Sequence, residues 1–383
     1  MQINYDDLIK KNNLPSAGSR IVVAMSGGVD SSVTAALLHN AGYEVIGVTM
    51  KLYESKAKKN PKSCCAGIDI SDARNVCKNL GIKHHIIDYE SRFKESVIDD
   101  FVDSYMNGMT PIPCIKCNQT VKFLDLIEFT KLIGCEVLAT GHYVKRVENG
   151  EDINLYQADD DLKDQSYFLF ATTQEQLKFL RFPLGCFSKN YIRKLAENFG
   201  LVNADKPDSQ DICFIPDGNY RDFIKNRLSE SSKRGDIESF DGHIIGQHNG
   251  IVDYTIGQRR GIGVGGIKGK KDNEPMYVVD IDKKRNKIIV GPKSKLMKYL
   301  IYLKDLNFFS NNTLQNEFDA LIKIRSGKRL ISAKIEVDNK DKKTGVVQLS
   351  EPEFGVAPGQ ACVFYDNFKK MIGGGWITSS KLE

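Results

Sequence analysis

The sequence predicts a fold of three parts: an α/β N-terminal domain with a parallel sheet, a small central domain and a C-terminal β-barrel. From about Arg20, short apolar runs alternate with helical patterns, and strands separated by helices form parallel sheets with helices on their faces. Beyond about Cys213, alternating segments punctuated by glycine replace the helical patterns, which is typical of small β domains and barrels. The predicted domains are therefore 1–215, 216–284 and 285–383.

The predicted elements of the first part follow one another along the chain. The predicted strands are RIVVAM (20–25), YEVIGVTMKLY (43–53), KHHIIDY (83–89) and EVLATGHYV (136–144). The predicted helices are VDSSVTAALLHNAG (29–42), DISDARNVCKNLG (69–81), TVKFLDLIEFTKLIG (120–134), SKNYIRKLAENFG (188–200) and YRDFIKNRL (220–228). The segment 120–134 is amphipathic, with apolar Val121, Leu124, Ile127 and Leu132.

The predicted strands of the second and third parts are short and alternate in polarity. They are IVDYTIG (251–257), PMYVVDID (275–282), NKIIVG (286–291), ISAKIEV (331–337), GVVQLS (345–350) and QACVFY (360–365). Alternation with a period of two places every second side chain on one face of a sheet.

The composition limits the class of protein. The chain has 383 residues, of which 41% are hydrophobic and 27% charged, and no apolar run approaches the ~18 residues of a membrane span. The first twenty residues carry charges of both signs and no apolar stretch, so we expect no signal peptide, no membrane contact and a cytoplasmic location. Nine cysteines without an export signal disfavour a disulfide framework and favour catalytic or metal-binding roles. The net charge of +5 permits a basic patch for a polyanion.

A glycine loop, AMSGGVDSSV, follows the first predicted strand and opens a helix. Gly27 and Gly28 allow a tight turn whose backbone N–H groups can point at an anion near the helix N-terminus. The alternative is a plain strand-to-helix turn capped by Asp30 or Ser31. The loop has no lysine of the G-x-x-x-x-G-K-[ST] type and no G-x-G-x-x-G, which disfavours a Walker loop and a dinucleotide fold.

Cysteines fall into two groups. A structural zinc site needs four ligands. Cys114 and Cys117 have no second pair of cysteines to complete such a site, because Cys64 and Cys65 are adjacent and poorly placed to share one ion, so zinc is disfavoured. We expect Cys117 to be reactive, because a helix predicted to begin at Asn118 would lower the pKa of a thiol at its N-terminus, with Pro111 and Pro113 holding the preceding segment extended. Simple burial is expected for the cysteines in apolar or helical surroundings: Cys77, Cys135, Cys186 and Cys362.

The motifs resemble those of a known family. SGGVDSS resembles the pyrophosphate loop of ATP-pyrophosphatases, the N-type adenine nucleotide alpha hydrolase superfamily, and this likeness implies a fold of that type for the first domain. From about residue 20 to 375, a longer set resembles the bacterial tRNA-specific 2-thiouridylase family. Its motifs are AMSGGVDSSV, PCIKCNQTVKF, ATGHY, KDQSYFL, DSQDICFI, YTIGQRRGIGVGG and APGQACVFY.

The resemblance implies an enzyme, a sulfurtransferase, that uses ATP and Mg²⁺ to place sulfur on the wobble uridine of tRNAs with Lys, Glu and Gln anticodons. ATP would be bound by Ala24, Met25, Ser26, Gly27, Gly28, Val29, Asp30, Ser31, Met50 and Gly141, with Asp30 at the magnesium or phosphate site. The tRNA would contact Ile112, Pro113, Cys114, His142, Lys163, Asp164, Gln165, Arg325, Ser326 and Gln360. Sulfur would come from a cysteine desulfurase or a sulfur-relay protein.

The family also implies the roles of the thiols. Cys213 would carry the sulfur as a persulfide, and Cys117 would release the product through a transient disulfide bond. Many family members have an aspartate, thought to be a general base, where this chain has Cys114, so the role of Cys114 is open. Together, Cys114, Cys117 and Cys213 could instead hold a [4Fe-4S] cluster as sulfur carrier. Two rival hypotheses are a different adenylating enzyme of the superfamily and a non-catalytic RNA-binding or iron–sulfur protein.

Two basic segments are candidates for RNA contacts. GQRRGIGVGGIKGKK (257–271) lies in the central domain and IRSGKR (324–329) in the barrel. Flexible basic loops suit an RNA backbone, although most charge runs are only solvated loops.

Overall fold

The structure, a computed structural model, has three parts. It describes residues 3–53, 67–150, 152–208, 211–215, 218–227, 233–263, 275–310, 315–327 and 329–382. The described residues form a five-stranded sheet with helices, a four-stranded sheet and a closed six-stranded barrel, together with one separate hairpin. The predicted fold class is confirmed.

The first sheet is parallel throughout. The strands of this part are β1 (Arg20–Ala24), β2 (Glu44–Lys51), β3 (Lys83–Asp88), β4 (Val137–Ala139), β5 (Val144–Asn149), β6 (Asp152–Gln157) and β7 (Leu180–Arg181). The sheet has the order β3-β2-β1-β4-β7, and β5 and β6 form the separate antiparallel hairpin. The predicted strand 136–144 is therefore too long: β4 ends at Ala139, the chain turns, and Val144 already begins β5.

Helices cover both faces of this sheet. They are α1 (Tyr5–Lys11), α2 (Val29–Asn40), α3 (Gly67–Leu80), α4 (Glu90–Phe93), α5 (Asp99–Met106), α6 (Pro113–Cys117), α7 (Leu126–Leu132), α8 (Gln174–Phe179), α9 (Lys189–Asn198) and α10 (Tyr220–Lys225). Two π-helical segments, Lys94–Ile98 and Asn118–Asp125, join α4 to α5 and α6 to α7. Short 3₁₀ helices span Ser166–Leu169, Ile251–Asp253 and Lys293–Leu296.

The central strand β1 is apolar because both of its faces are buried. Val22 belongs to one hydrophobic core together with Ile46 of β2. Its neighbours Ile21 and Val23 point the other way and belong to a second core. A strand buried on both faces has a continuous apolar run, which is why RIVVAM is recognisable in the sequence.

The central sheet is small. Its strands are β8 (Gly235–Ser239), β9 (Ile244–His248), β10 (Tyr277–Asp282) and β11 (Lys287–Gly291), in the order β10-β11-β8-β9. Residue 285, where the sequence predicts a domain boundary, lies in the turn of the β10–β11 hairpin. The strand predicted over 251–257 is wrong: these residues form a 3₁₀ helix and a turn. Val252, Tyr254 and Ile256 point inward in alternation, so the period of two reflects burial rather than pairing.

The barrel closes because its first strand pairs with its last. Its strands are β12 (Met297–Phe308), β13 (Glu317–Lys323), β14 (Ile331–Val337), β15 (Gly345–Phe354), β16 (Ala361–Tyr365) and β17 (Met371–Lys381). They follow the order β12-β15-β14-β13-β16-β17, and β12 also pairs with β17. Along β14 the residues alternate between buried and exposed, as ISAKIEV predicts.

The barrel docks on the first part through a shared core. Val363 and Tyr365 of β16 belong to the same hydrophobic core as Tyr167 and Phe170 of the N-terminal part. The Tyr167 hydroxyl donates to the Ala361 carbonyl at 3.1 Å. No helix of the described residues is both long and apolar enough to cross a membrane.

Candidate functional site

The phosphate loop, which we define as residues 24–31, connects β1 to α2. Gly27 has φ +75°, and a Cβ there would lie 2.2 Å from the Asp69 carbonyl oxygen, so only glycine fits. The Ser26 N–H donates to Ser31 Oγ at 3.2 Å, and the Ser31 hydroxyl donates to the Gly28 carbonyl at 3.0 Å. The serines therefore fix the turn whose N–H groups precede the helix.

The carboxyl end of β4 lies directly against this loop. A Cβ on Gly141 would be 2.9 Å from the Asp30 carbonyl carbon and the Ser31 nitrogen, which requires glycine. Met50, at the end of β2, is buried, and the neighbouring Thr49 hydroxyl donates to the Met25 carbonyl at 2.9 Å. The predicted ATP-site residues therefore come together at the carboxyl edge of the parallel sheet, where α/β sheets bind ligands.

A charge cluster, formed by Asp30, Lys163, Lys189, Arg193 and Asp208, stands beside the loop. Lys189 is 8% exposed and donates to both Asp30 carboxylate oxygens at 2.8 Å and to Asp208 at 2.8 Å. Asp208 also accepts from Lys163 at 2.7 Å and from Arg193 at 2.9 Å. A third carboxylate, that of Asp160, accepts from the Lys189 backbone N–H at 2.9 Å, so three cations and three carboxylates balance beside the loop.

The carboxylates of the charge cluster each accept several hydrogen bonds. Burial alone would raise the pKa of Asp208, but hydrogen bonds from Lys163 and Lys189 lower it to about 2. The Tyr143 hydroxyl donates to Asp30 at 2.7 Å, and burial together with the Asp30 charge raises the pKa of Tyr143. Asp30, predicted as a magnesium or phosphate residue, therefore already contacts a cation and a hydroxyl.

A second set of contacts holds the loop from behind and was missed in the sequence. Lys206 Nζ donates to the Gly27 carbonyl at 3.1 Å, to Asp69 at 2.6 Å and to Asp72 at 2.5 Å. Asn203 donates to the same carbonyl at 3.0 Å. Lys206 and Asp208 lie in the polar segment just before DICFI, so the sequence shows charged residues there. It does not show their contacts near the phosphate loop, because the two segments are far apart along the chain.

The helix that carries the cysteine pair begins earlier than predicted. It starts at Pro113, the first residue of α6, and continues without interruption to Leu132. Pro113 is buried in the first turn, where a missing N–H costs nothing, rather than in an extended segment. The expectation that Cys117 lies at a helix N-terminus is wrong; Cys114 lies in the first turn and Cys117 one turn further along.

The two thiols of this helix differ in exposure. Cys114 is exposed, whereas Cys117 is 6% exposed and belongs to the main core. Cys213 is half-buried and packs against that same core, and the Tyr53 hydroxyl donates to its carbonyl. The structure therefore brings Cys117 and Cys213 to one core although 96 residues separate them. Among the residues described, no group of three or more His, Cys, Asp or Glu side chains is arranged to hold a metal ion.

A junction pocket of about 340 Å³ opens between the N-terminal part and the barrel, next to this helix. Its lining consists of Ile112, Tyr167, Phe168, Arg325, Ser326, Gly327 and Gln360. Gln360 donates to the Thr110 carbonyl at 2.8 Å, and Arg325 donates to the Gly355 carbonyl. Four of the predicted tRNA contacts, from three distant segments, therefore meet at one pocket.

The cysteine helix contacts a residue of the pocket lining and a residue of the barrel. Asn118 Nδ2 donates to the Phe168 carbonyl at 3.2 Å. Lys116 Nζ lies 5.6 Å from the centre of the Trp376 ring of the barrel. A ligand in the pocket would thus stand beside the first turn of the cysteine helix.

The segment 163–165, predicted to contact tRNA, mainly makes contacts within the protein. The Asp164 side chain is 1% exposed and accepts from Lys323 Nζ at 2.9 Å and from the Ser166 hydroxyl at 2.9 Å. Gln165 accepts from the Tyr143 N–H at 2.9 Å. The Asp164 carboxylate therefore connects this segment to the barrel, and a contact of Asp164 with tRNA stays a prediction.

His142 is neutral in this environment. Its Nδ1 lies 2.8 Å from the Thr140 hydroxyl, and its ring packs edge-on against Phe123 and Phe182. Burial, helped by the Lys122 charge, lowers the pKa of His142 to about 3. It can act as a neutral hydrogen-bonding group but not as a cation for phosphate.

The remaining sequence predictions are partly met. Cys77, Cys135 and Cys362 are buried as expected, and burial raises the pKa of Cys77 to about 12. Cys186 is only half-buried. In the central basic segment Arg259 and Arg260 are exposed, whereas residues 264–271 lie outside the described residues, as do Cys64, Cys65 and Lys328.

Three family models match the chain in succession. They are the tRNA methyl transferase HUP domain over residues 19–217, the tRNA methyl transferase PRC-barrel domain over residues 221–292 and the aminomethyltransferase beta-barrel domain over residues 298–377. These ranges follow the parallel sheet, the central sheet and the barrel. Among solved structures, the U34-tRNA thiolase NcsA from Methanococcus maripaludis with its [4Fe-4S] cluster is 18% identical, and the match covers 58% of this chain and 72% of NcsA with a TM-score of 0.36.

Curated relatives match nearly the whole chain. The tRNA-specific 2-thiouridylase MnmA of Maricaulis maris is 49% identical over 94% of this chain and 88% of its own length. The protein of the same name from Rickettsia massiliae is 51% identical over 96% of this chain and 98% of its own length. Such identity over all three parts of the fold leaves no room for another branch of the superfamily: the chain belongs to the tRNA-specific 2-thiouridylase family.

Proposed function

We propose that this protein is a sulfurtransferase that replaces the C2 oxygen of a tRNA wobble uridine by sulfur, with ATP converted to AMP and pyrophosphate. The observation that carries the proposal is the presence of three features in one fold. A phosphate loop, a junction pocket and two thiols sharing one core are assembled there from residues 24 to 360. Neither a non-catalytic RNA-binding protein nor a ligase needs all three.

The phosphate loop and the charge cluster would receive ATP. The N–H groups of the turn and the cations of the cluster would oppose the charge of the phosphates. Magnesium, bound with ATP, would neutralise part of the same charge, and Asp30 is the loop carboxylate that would hold it. The C2 carbonyl oxygen is a poor leaving group until it attacks the α-phosphate and becomes part of an adenylate.

The junction pocket would receive the wobble base. A base can reach a buried active site only when it leaves the stack of the anticodon loop. Tyr167 and Phe168 offer aromatic surface, and Arg325 and Gln360 offer polar groups that suit an RNA backbone or a base edge. The pocket is adjacent to the first turn of the cysteine helix, where the sulfur chemistry would follow.

Sulfur transfer would use the two thiols. The terminal sulfur of a Cys213 persulfide attacks C2, and AMP leaves with the original oxygen. The Cys117 thiolate then attacks the Cys213 sulfur, the tRNA leaves as 2-thiouridine, and a Cys117–Cys213 disulfide forms. The sulfur donor would be a cysteine desulfurase or relay protein, and the tRNAs those with Lys, Glu and Gln anticodons, as the family implies.

The iron–sulfur alternative finds less support in the arrangement of side chains. A cluster held by three cysteines needs their sulfurs grouped around one centre. Within the described part of the chain no such group of ligands is assembled.

The test uses unmodified tRNA, ATP and a persulfide-generating cysteine desulfurase. Wild-type protein should form 2-thiouridine and release AMP only when tRNA is present. Cys117→Ser and Cys213→Ser should abolish 2-thiouridine, whereas Cys186→Ser should not. Thiolation that survives both serine substitutions would overturn the roles given to the thiols. Iron and acid-labile sulfide, measured on anaerobically purified protein, would reveal the cluster route.

A further inference from the structure

The cysteine pair has a geometry that the proposed reaction does not use. Cys114 and Cys117 are three residues apart in one continuous helix, and the Asn118 N–H bonds to the Cys114 carbonyl. Helical residues at this spacing lie on one face with Cβ atoms about 5–6 Å apart. A disulfide needs Cβ atoms about 3.5–4.5 Å apart, so a small adjustment of the first turn would allow the bond.

Cys114 and Cys117 differ in how easily a reductant could reach their sulfur atoms. Cys114 is exposed and borders the junction pocket through its neighbour Ile112, whereas Cys117 is 6% exposed. A reductant must approach a disulfide in line with the bond that breaks. A disulfide between Cys117 and the half-buried Cys213 would present little sulfur to a protein reductant.

Cys213 is also the less adaptable partner. Its carbonyl is held by the Tyr53 hydroxyl, and its neighbour Phe214 packs edge-on against Phe93 and Phe101. Freeing Cys213 from a disulfide is required before it can be loaded with sulfur again. A thiol within the enzyme that reaches Cys117 would achieve this without unfolding the core.

We propose that Cys114 and Cys117 form a redox-active dithiol that resolves the catalytic disulfide, an inference that rests on the proposed function. The Cys114 thiolate attacks the Cys117 sulfur; the Cys114–Cys117 bond forms, the Cys117–Cys213 bond breaks, and Cys213 leaves as a thiolate. No electrons enter or leave in this exchange. A dithiol reductant protein then attacks the exposed Cys114 sulfur, becomes oxidised to its own disulfide, and returns both thiols.

This assignment gives Cys114 a role that a carboxylate could not fill. The spacing Cys-x-x-Cys within one helix turn, with an exposed and a buried sulfur, is suited to thiol–disulfide exchange. The exposed thiol is also the one on the surface that an external protein can reach.

The test can be run without substrate. The protein is equilibrated in glutathione buffers of stepped potential, quenched with acid, alkylated and digested with trypsin. Cleavage after Lys116 separates Cys114, in peptide 95–116, from Cys117, in peptide 117–122, while Cys213 lies in peptide 195–221. Each disulfide therefore appears as a distinct pair of joined peptides.

Wild type and Cys186→Ser should accumulate the joined pair 95–116 and 117–122. In Cys114→Ser that pair is lost, and 117–122 should instead be joined to 195–221. The inference is overturned if wild type shows only the second pair, with Cys114 alkylated at every potential.

A single turnover with persulfide-loaded wild type separates this inference from the proposed function. Formation of 2-thiouridine together with the Cys114–Cys117 bond supports both. Formation of 2-thiouridine with a persistent Cys117–Cys213 bond overturns the dithiol alone. Absence of 2-thiouridine contradicts the proposed function, and the redox titration then decides the dithiol by itself.

Discussion

The phosphate loop and the junction pocket are held in place by different forces. Around the loop, charged side chains converge: Lys189 joins Asp30 to Asp208, and Lys206 joins Gly27 to Asp69. Around the pocket, the contacts are mainly aromatic packing and hydrogen bonds to carbonyls, and they connect two separate parts of the fold. The phosphate loop is thus fixed within one domain, whereas the junction pocket forms only when the barrel packs on the N-terminal part.

This difference means that the two ligands should respond to different substitutions. Changes at the loop should weaken ATP binding and leave tRNA binding intact, and changes at the pocket should do the reverse. Asp164 is where the two regions meet, since its neighbour Lys163 contacts Asp208 while Asp164 itself holds Lys323 of the barrel.

The largest effect is expected for Gly27→Ala. The added Cβ would collide with the Asp69 carbonyl and strain a residue at φ +75°, so ATP affinity should fall about 100-fold, equal to about 3 kcal/mol. Isothermal titration with a non-hydrolysable ATP analogue measures this. Gly42→Ala is the matched control, because φ there is +89° but nothing lies within 4 Å. Equal loss of affinity in both variants would show that backbone strain, not the loop contact, is responsible.

A smaller loss of ATP affinity is expected for Lys189→Met. The substitution leaves Asp30 and Asp208 without their shared cation, and breaking a buried ion pair costs about 3–5 kcal/mol of folding stability. ATP affinity should fall about tenfold. The affinity for tRNA, measured by filter binding, should not change. Lys194→Met, an exposed position on the same helix, should change neither. A loss of tRNA affinity instead would place the charge cluster on the RNA side.

The opposite pattern is expected for Arg325→Gln. Removing a guanidinium from the junction pocket should weaken tRNA binding about tenfold, since hydrogen bonds to charged groups contribute about 1.5–3 kcal/mol, and leave ATP binding unchanged. Arg329→Gln, nearby but 76% exposed in its side chain, is the control. An equal loss of affinity for ATP and for tRNA in Arg325→Gln would contradict the separation of the two sites.

The smallest effect is a dependence of stability on pH through His142. Its pKa is lowered to about 3 in the folded protein, against about 6.5 in the unfolded chain, so between these values the unfolded state binds more protons. Stability should therefore fall as the pH drops below about 6.5, by at most about 1.4 kcal/mol per pH unit from this group. Urea unfolding at pH 7 and pH 5 should show a smaller difference for His142→Gln than for wild type. His39→Gln, at an exposed position, should retain the wild-type difference.

The sequence predicted the parts of the site that are local. The phosphate loop is contiguous, so its strand, glycines and helix can be recognised together. Lys189, Asn203, Lys206 and Asp208 act on the loop from more than 150 residues away, and no local pattern reports that contact.

Two residues illustrate that one residue type can have two structural uses. Pro113 was assigned to an extended approach, but proline also suits the first position of a helix, and this shifted the helix start past both cysteines. Asp164 lies in a polar string that resembles a surface, but a carboxylate can be buried when Lys323 and Ser166 satisfy it. Only the packing of the barrel decides between these uses.

The central claim is that the C2 oxygen of uridine becomes part of AMP before sulfur arrives. The most direct test is a tRNA whose wobble uridine carries ¹⁸O at C2, incubated with ATP and persulfide-loaded protein, followed by mass spectrometry of the released AMP. The account predicts one ¹⁸O in AMP for each 2-thiouridine formed. Unlabelled AMP alongside 2-thiouridine would contradict adenylation of the base.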